Sequence, residues 1–280
     1  ASSAASDVYK RQHLRRVEAA IGTIETSKLE KVVLARAVDI EFPEVIDPRL
    51  VAARLIDLSA NRDGFIADLS PAGRPGAMLV GSSPEVLIKR QGSTVSAFPL
   101  AGSSPRRATP AEDHIAGQDL LHSAKDLHEH AFVVEHLRRV LNPLCERLNI
   151  PDTPQLISTN EMWHLGTPVT GTLKDKHLTA LELALATHPT PAICGTPAEA
   201  AQALIETAET DRGFYAGAVG WCDSSGDGEY MVAIRCAEVA GDGLSARAWV
   251  GGGIVGDSNA QAELEETTAK LQTILRALSL

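Results

Sequence analysis

Apolar residues recur at helical spacing in several segments of this chain, and short apolar runs typical of strands separate those segments. Spacings of three and four predict helices over 13–27 and 48–58. The same spacing predicts helices over 178–188 and 198–209, the first of which stops at a proline. The pattern therefore indicates a helix-rich protein whose helices are interrupted by extended segments.

The longest helical pattern runs over 112–149 and contains Pro143, which is expected to kink or end the helix. Its apolar stripe repeats every seven residues, at Leu120, Leu127, Val134 and Leu141. A last helix closes the chain, and Ser258 with Gln261 is expected to form its capping box.

Strands are predicted where apolar residues alternate or run together between turn signals. These segments are 31–42, 77–81, 86–90, 94–100, 214–222, 230–239 and 244–251, while 155–159 and 163–173 are expected to contain both strand and loop. The runs 77–81, 86–90 and 94–100 follow one another closely, which predicts an antiparallel meander. Since no regular strand–helix–strand rhythm is visible, the expected fold class is α+β, with large, mostly antiparallel sheets flanked by helices.

Composition narrows the possible functions. The 280 residues carry a formal net charge of −10, which argues against a general nucleic-acid binder because such a protein needs a basic face. No apolar run approaches the length of a membrane span. The four cysteines form no C-x-x-C pair, so we expect no zinc site and a reduced, cytoplasmic compartment. Residues 1–12 resemble a cloning artefact, and we expect a disordered leader there, followed by one domain over 13–280.

Two acidic pairs on predicted helices share a three-residue spacing: Asp126 with Glu129, and Glu263 with Glu266. This spacing places both members of a pair on one helix face. Two such faces brought together offer four carboxylates, which suit a hard cation such as Mg²⁺. The alternative is two ordinary solvated faces, each with an i,i+4 ion pair to Lys125 or to Lys270.

Other residues carry chemistry only in a particular setting. The glycines of 251–255 allow a ligand to approach the backbone, or simply form a tight turn. Lys31 is a possible base if buried, and otherwise an exposed strand end. Glu85 is a possible general acid if burial raises its pKa, and otherwise a turn residue. His164 and Arg235 lie in apolar strands, where an arginine needs an anionic partner, while the histidine could equally be a core residue bonded to the backbone.

Taken in order, the motifs from position 28 to the end resemble the chorismate-binding enzymes, a family that includes anthranilate, aminodeoxychorismate, salicylate and isochorismate synthases. The motifs are KVVLAR, GSSPE, PLAGS, KDLHEH, LISTNEMWHLGTPVTG, HPTPAICG, FYAGAVGWCD, YMVAIRCA, GGGIV and ELEETTAKL. HPTPAICG, VGWCD and IRCA are most similar to siderophore-type isochorismate synthases. The resemblance implies a fold like that of anthranilate synthase component I.

The resemblance also implies roles for individual residues. Glu129 and Glu266 resemble direct Mg²⁺ ligands, while Asp126 and Glu263 would order metal-bound water. Lys31 resembles the base that activates water for attack at C2 of chorismate, and Glu85 the acid that assists departure of the C4 hydroxyl. The metal would orient the ring carboxylate. The residues implied to surround the substrate are His164, Ala192, Ile193, Tyr215, Arg235, Gly252, Gly253 and Lys270.

Three positions favour isochorismate as the product. Anthranilate synthases lack a lysine at the position of Lys31, which implies that water is the nucleophile here. Ala101 stands where aminodeoxychorismate synthases carry a nucleophilic lysine, and Ala192 where salicylate synthases usually carry threonine. The expected function is therefore Mg²⁺-dependent isochorismate synthesis for a siderophore, by a cytoplasmic monomer whose only partner is chorismate.

The alternatives are a salicylate synthase, a menaquinone-pathway isochorismate synthase and, in another class, a non-catalytic acidic metal-binding domain. Members of the family usually carry roughly a hundred further N-terminal residues, about the size of a small domain. The chain is accordingly interpreted as a fragment that lacks this portion and some strands of a sheet.

Overall fold

Two six-stranded antiparallel sheets and a three-stranded sheet hold the helices of this protein in place. The computed structural model describes the backbone of residues 3–279 and the side chains of residues 10–279. Its α-helices are α1 (Ser3–Thr26), α2 (Pro48–Leu58), α3 (Pro110–His122), α4 (Ala124–Leu141), α5 (Ala180–Thr187), α6 (Ala198–Ala208) and α7 (Ala260–Ala277), and a 3-10 turn covers Ser70–Ala72.

Most of the strands lie in predicted segments, but those at 64–68, 145–149 and 195–196 were not predicted. They are β1 (Lys31–Glu41), β2 (Gly64–Asp68), β3 (Met78–Ser82), β4 (Val86–Gln91), β5 (Thr94–Phe98), β6 (Leu100–Pro105), β7 (Cys145–Asn149), β8 (Gln155–Ser158), β9 (Met162–Gly166), β10 (Val169–Leu173), β11 (Gly195–Thr196), β12 (Ala218–Cys222), β13 (Gly228–Val232), β14 (Cys236–Val239) and β15 (Ser245–Ile254). The α+β class with large antiparallel sheets is confirmed.

The first sheet has the order β11-β1-β15-β14-β3-β2, and the second β12-β13-β4-β5-β10-β7. The third sheet, β6-β9-β8, carries the segment that follows β5. In the first sheet, β1 and β15 pair from Val32 opposite Ile254 to Glu41 opposite Ser245. This long register brings the start of β1 beside the glycines near the end of β15, although more than two hundred residues separate them.

The apolar core lies on both faces of the first sheet. Val32 and Leu34 of β1 belong to the larger buried cluster, which includes Ile88 and Val95 of the second sheet. The smaller cluster joins the first sheet to α2 and α7, for example through Leu55. Burial on both faces explains why β1 is a nearly continuous apolar run.

The single helix predicted over 112–149 is wrong: the segment forms α3, α4 and β7. Ser123 ends α3 and caps α4, because its Oγ accepts a hydrogen bond from the N–H of Asp126 at 3.2 Å. The heptad stripe continues across this break and therefore conceals it. Pro143 lies just beyond the end of α4, where a proline cannot continue a helix.

The predicted meander is also wrong, because β3 belongs to the first sheet whereas β4 and β5 belong to the second. Pro84 lies between β3 and β4, where the chain crosses from one sheet to the other. Similarly, 230–239 is not one strand: β13 and β14 belong to different sheets, and Arg235 between them has φ 51°. In the segment 214–222 the strand begins only at Ala218.

Smaller corrections concern helix ends and the glycine segment. Gly251 to Ile254 lie within β15, not in a turn. The cap of α7 is Asn259, whose side chain accepts from the N–H of Ala262, whereas Ser258 accepts from the N–H of Val255. Helix α1 begins at Ser3, so part of the segment set aside as a leader is helical, and residues 1 and 2 lie outside the described residues. None of the described helices is long and apolar enough to cross a membrane.

Candidate active site

A cavity opens between the first sheet, the third sheet and helices α4 and α7. The cavity brings together eleven of the fourteen residues that the motifs single out: Glu85, Glu129, His164, Ala192, Ile193, Tyr215, Arg235, Gly252, Gly253, Glu266 and Lys270. The remaining three, Lys31, Asp126 and Glu263, do not line the cavity and lie behind the residues that do.

The glycines of β15 allow functional side chains to pack against its backbone. A Cβ atom on Gly253 would overlap the Glu129 carboxylate, and one on Gly251 would lie 2.7 Å from the Tyr215 hydroxyl. On the opposite face, a Cβ on Gly252 would lie 3.1 Å from Oε2 of Glu263. Residues alternate between the two faces of a strand, so the triple glycine is needed on both sides of β15.

Lys31 is completely buried, and its Nζ lies 3.1 Å from Oε1 of Glu129. This contact is an ion pair without hydrogen-bond alignment, since Nζ has no hydrogen-bond partner among the described residues. The side chain also passes close to Gly253. Lys31 is therefore not an exposed strand end, and it reaches the site from behind Glu129.

Glu85 is buried at the rim of the second sheet. Burial raises the pKa of its carboxyl to about 7, although the N–H of Leu100 and the charges of Lys31, Lys270 and Arg235 act in the opposite direction. A substantial fraction of this carboxyl is therefore protonated at neutral pH. A protonated carboxyl in a cavity is suited to donate a proton.

Arg235 and His164 form a buried polar pair. Nη2 of Arg235 donates to Nε2 of His164 at 3.0 Å. Burial, followed by the charges of Arg235 and Lys270, holds the pKa of His164 well below its usual value, so the ring is neutral and its proton lies on Nδ1. Among the ion pairs of the described residues, none includes Arg235. A buried guanidinium without a carboxylate partner is a binding site for an anionic ligand.

Glu129 on α4 and Glu266 on α7 face the same cavity from two helices. Oε1 of Glu266 accepts hydrogen bonds from Ser103 Oγ at 2.7 Å and from the Lys270 ammonium. Burial alone would raise the pKa of Glu266, but Lys270 and Lys125 outweigh it and lower the pKa. Glu266 is therefore an ionised carboxylate.

Asp126 and Glu263 stand behind this pair and surround Lys125. Nζ of Lys125 lies 2.9 Å from Oε1 of Glu263 and 3.5 Å from Oδ1 of Asp126. The pKa of Glu263 is raised to about 7, mainly by burial and then by Glu266. Burial also raises the pKa of Asp126. The predicted i,i+4 pair of Lys125 with Glu129 is wrong, whereas the pair of Glu266 with Lys270 is present.

The four acidic residues fit a hard cation in their chemistry. Oδ1 of Asp126 and Oε2 of Glu263 are buried without a hydrogen-bond partner, and like charges raise the pKa of both groups. Within the described residues, however, no three such side chains are gathered closely enough to hold a metal ion. Each of the four acidic residues instead contacts a lysine side chain: Glu129 contacts Lys31, Asp126 and Glu263 contact Lys125, and Glu266 contacts Lys270.

Sequence reasoning missed residues that brace the site. Arg212 makes a two-pronged contact with Glu209 and donates to the carbonyls of Ile193 and Val33 at 2.8 and 2.7 Å. Glu209 in turn accepts from the N–H of Ala35 at 2.6 Å. The i,i+3 spacing of Arg212 and Glu209 is visible in the sequence, but the burial of this ion pair is not.

His130 is a second bracing residue, next in sequence to Glu129. Its Nδ1 lies 2.9 Å from the Ala101 carbonyl, and its Nε2 lies 2.7 Å from Thr167 Oγ1. Its two hydrogen bonds fix the first turns of α4 against the segment that lines the cavity at Ala101.

Comparison with known sequences points to one family. The family profile described as "Chorismate binding enzyme" matches residues 1–279. A Mycobacterium tuberculosis protein named "Putative isochorismate synthase MenF" is 51% identical over 89% of this chain and 68% of its own length. Isochorismate synthase DhbC of Bacillus subtilis is 44% identical over 94% of this chain and 66% of its own length. The chain thus spans about two thirds of the length of these curated relatives.

Comparison with solved structures agrees. The crystal structure of "putative 2,3-dihydroxybenzoate-specific isochorismate synthase, DhbC" from Bacillus anthracis matches with a TM-score of 0.93 at 42% identity. The match covers 97% of this chain and 72% of that chain. The same fold therefore extends over nearly all of this chain.

Proposed function

The chain belongs to the family of chorismate-binding enzymes, and from this membership we propose that it is an isochorismate synthase, an isomerase that converts chorismate to isochorismate. The observation that carries the proposal is the arrangement of Lys31, Glu85 and Arg235. A carboxyl with a pKa of about 7 and a buried guanidinium that joins no ion pair of the described residues line one cavity. A buried lysine without a hydrogen-bond partner lies behind the cavity wall, beside Glu129. These groups are a base, an acid and a carboxylate receptor.

In the proposed reaction, Lys31 takes a proton from a water molecule as that water attacks C2 of the ring. The ring double bonds shift, and the C4 hydroxyl leaves as water after Glu85 has donated a proton to it. One water molecule enters and one leaves, so the overall change is an isomerisation. Glu85 suits this role because its pKa lies near neutrality.

Substrate binding is assigned to the cationic and backbone groups of the cavity. Arg235, Lys270 and the N–H groups at Gly252 and Gly253 would hold the two carboxylates, with the Tyr215 hydroxyl beside them. His164 is neutral and lies beside the proposed ring position. Ala192 and Ile193 supply an apolar wall.

The family implies a magnesium ion, and the donor chemistry described above fits one. Glu129 and Glu266 would hold the ion directly, with Asp126 and Glu263 ordering its water molecules. Bound there, Mg²⁺ would neutralise and orient the ring carboxylate of the substrate.

Three residues favour isochorismate over related products. Lys31 is placed to activate water rather than to admit ammonia, Ala101 offers no covalent lysine, and Ala192 has no hydroxyl to position the pyruvyl group for elimination. A non-catalytic acidic metal-binding domain explains neither the buried Lys31 nor the unpaired Arg235.

We infer a siderophore role from the name of the Bacillus anthracis relative, with menaquinone synthesis as the alternative. We also propose a cytoplasmic location, which the free cysteines suit, and a monomeric state.

The water-attack mechanism is tested by running the reaction in oxygen-18 water. The product should carry one solvent oxygen, at C2, as read by mass spectrometry of the isolated isochorismate. Product without solvent oxygen would mean that the hydroxyl migrates within the substrate, and would remove Lys31 from its assigned role.

A further inference from the structure

Lys125 stands at a place where its own helix disfavours a cation. It occupies the first turn of α4, directly after the cap residue Ser123. The N-terminus of a helix carries a partial positive charge and stabilises anions, not ammonium groups. Its side chain is nevertheless only 22% exposed. Its position therefore depends on nearby anionic side chains.

Those groups are the four carboxylates assigned to the metal. Lys125 contacts Glu263 and Asp126 directly, and Glu129 and Glu266 also act on it. Together they raise its pKa despite its burial. The Lys125 ammonium therefore lies within the acidic cluster, beside Glu263 and Asp126.

A divalent ion would compete with lysine side chains for these acidic residues. Three lysine side chains, those of Lys31, Lys125 and Lys270, contact the cluster. An ammonium group that stays beside a bound divalent ion is repelled by it. Lys31 and Lys270 contact Glu129 and Glu266 beside β15 and belong to the substrate site. Lys125 is the group that is free of such a role.

A second cavity gives Lys125 room to leave. This outer groove lies between α3 and α7, is lined by Lys125 itself, and is separated from the substrate cavity by Ser103 and Glu266, which line both. Its wall carries further acidic side chains, Glu112, Asp119, Asp257 and Glu265. Such a wall attracts cations and favours an ammonium that has moved outward.

We propose that Lys125 is a resident counter-ion of the carboxylate cluster: it holds the cluster together without metal and withdraws into the outer groove when a divalent cation binds. Lys125 is thus a positioning residue that lowers the affinity for metal and prevents an empty cluster from repelling itself apart. The inference deepens the proposed function and rests on its metal site.

The test is calorimetric titration of magnesium chloride into the protein without substrate, at about pH 8. Lys125→Met should bind Mg²⁺ roughly tenfold more tightly than the wild type, since a competing charge is gone. Without metal, the same variant should unfold at a lower temperature, and Mg²⁺ should raise its melting temperature by more than it raises that of the wild type. Lys125→Arg keeps the charge and should bind no more tightly than the wild type.

Arg107→Met is the matched control, because it removes one positive charge from the exposed wall of the same groove without touching the cluster. Equal or weaker Mg²⁺ binding by Lys125→Met overturns the inference, as does equal tightening by Arg107→Met. Glu266→Gln distinguishes a failure of the metal site from a failure of the inference about Lys125. If Glu266→Gln does not bind Mg²⁺ while Lys125→Met binds it with wild-type affinity, the metal site is supported and the role of Lys125 is excluded. If no protein binds Mg²⁺, both fall.

Discussion

At the residue scale, burial gives the charged groups of the cavity their chemical character. Glu85 is protonatable near neutral pH because it lacks water, and His164 is neutral for the same reason. Arg235 forms no ion pair with a carboxylate of the described residues, although Glu161, Glu266 and Glu85 act on it at longer range. Each group is thereby prepared for a ligand that carries negative charge and needs a proton.

Replacing Lys31 tests the assigned base. Lys31→Ala should reduce isochorismate formation by at least about a hundredfold, since it removes the general base, while chorismate binding measured by calorimetry stays within a few-fold. Lys89→Ala, on β4 and half-exposed, is the control and should leave the rate unchanged. Full activity of Lys31→Ala would exclude this lysine from the mechanism.

The raised pKa of Glu85 predicts a pH-dependent stability. The folded protein holds this proton up to about pH 7, whereas an unfolded glutamate releases it near its ordinary value of 4.5. Stability from this group is therefore present below about pH 4.5 and lost as pH rises through 7. Compared with Glu85→Gln, the wild type should lose about 3 kcal/mol more unfolding free energy between pH 4.5 and 8.

The measurement is urea unfolding of both proteins across that pH range. The difference between the two proteins cancels contributions that they share, such as that of Glu263. Identical pH profiles would show that Glu85 is not desolvated. Glu85→Gln should also lower turnover by about two orders of magnitude or more, because an amide cannot give up the proton.

Prediction from the sequence was also most successful for single residues. The ordered motifs identified eleven residues that line one cavity, and spacing alone identified both acidic pairs. Lys125 was misassigned, because i,i+4 spacing suggests a partner on the same helix while the real partner, Glu263, lies on another. No sequence pattern reveals such a contact.

At the scale of secondary structure, β15 is the element on which the site depends most. Gly253→Ala should displace the Glu129 carboxylate, lower the unfolding free energy by about 1–3 kcal/mol and abolish activity. Gly256→Ala is the control, since its nearest neighbour would be Ile24 at an ordinary 3.8 Å, and its stability should change by less than about 1 kcal/mol. Thermal unfolding measures both. An unperturbed Gly253→Ala would contradict the close packing of Glu129 on β15.

The segment after α6 offers a second test. Arg212 and Glu209 form a buried i,i+3 pair, and Arg138 and Glu135 an exposed one. Arg212→Met should lower the unfolding free energy by about 3–5 kcal/mol, because Glu209 is left buried without its partner. Arg138→Met should lower it by less than about 1 kcal/mol. Equal effects in denaturant unfolding would show that the buried pair does not brace β1.

Element boundaries show what periodicity can and cannot predict. The helix at 48–58 was predicted to the residue from its helical spacing, and the structure shows that Asp47 caps its start. The break at Ser123 was missed because the apolar stripe continues on both sides of it. β13 and β14 are separated by the left-handed backbone of Arg235. The alternation of apolar and polar residues along the sequence does not encode that conformation.

At the scale of the whole molecule, the site joins distant parts of the chain. Lys31 lies near one end of the sequence and Lys270 near the other, and the pairing of β1 with β15 brings them together. Composition and periodicity supplied the α+β class but not this pairing, since sheet order depends on contacts across the entire chain. The spacing of acidic residues supplied the two acidic pairs in advance, and the resemblance to a family supplied the rest of the site.

The central claim is that this fold makes isochorismate, and product analysis tests it most directly. The protein is incubated with chorismate and Mg²⁺, with and without ammonium, and the products are separated by chromatography while pyruvate is measured. Isochorismate in equilibrium with chorismate, without pyruvate and independent of ammonium, is the predicted result. Stoichiometric pyruvate with salicylate, or anthranilate that depends on ammonium, would contradict it.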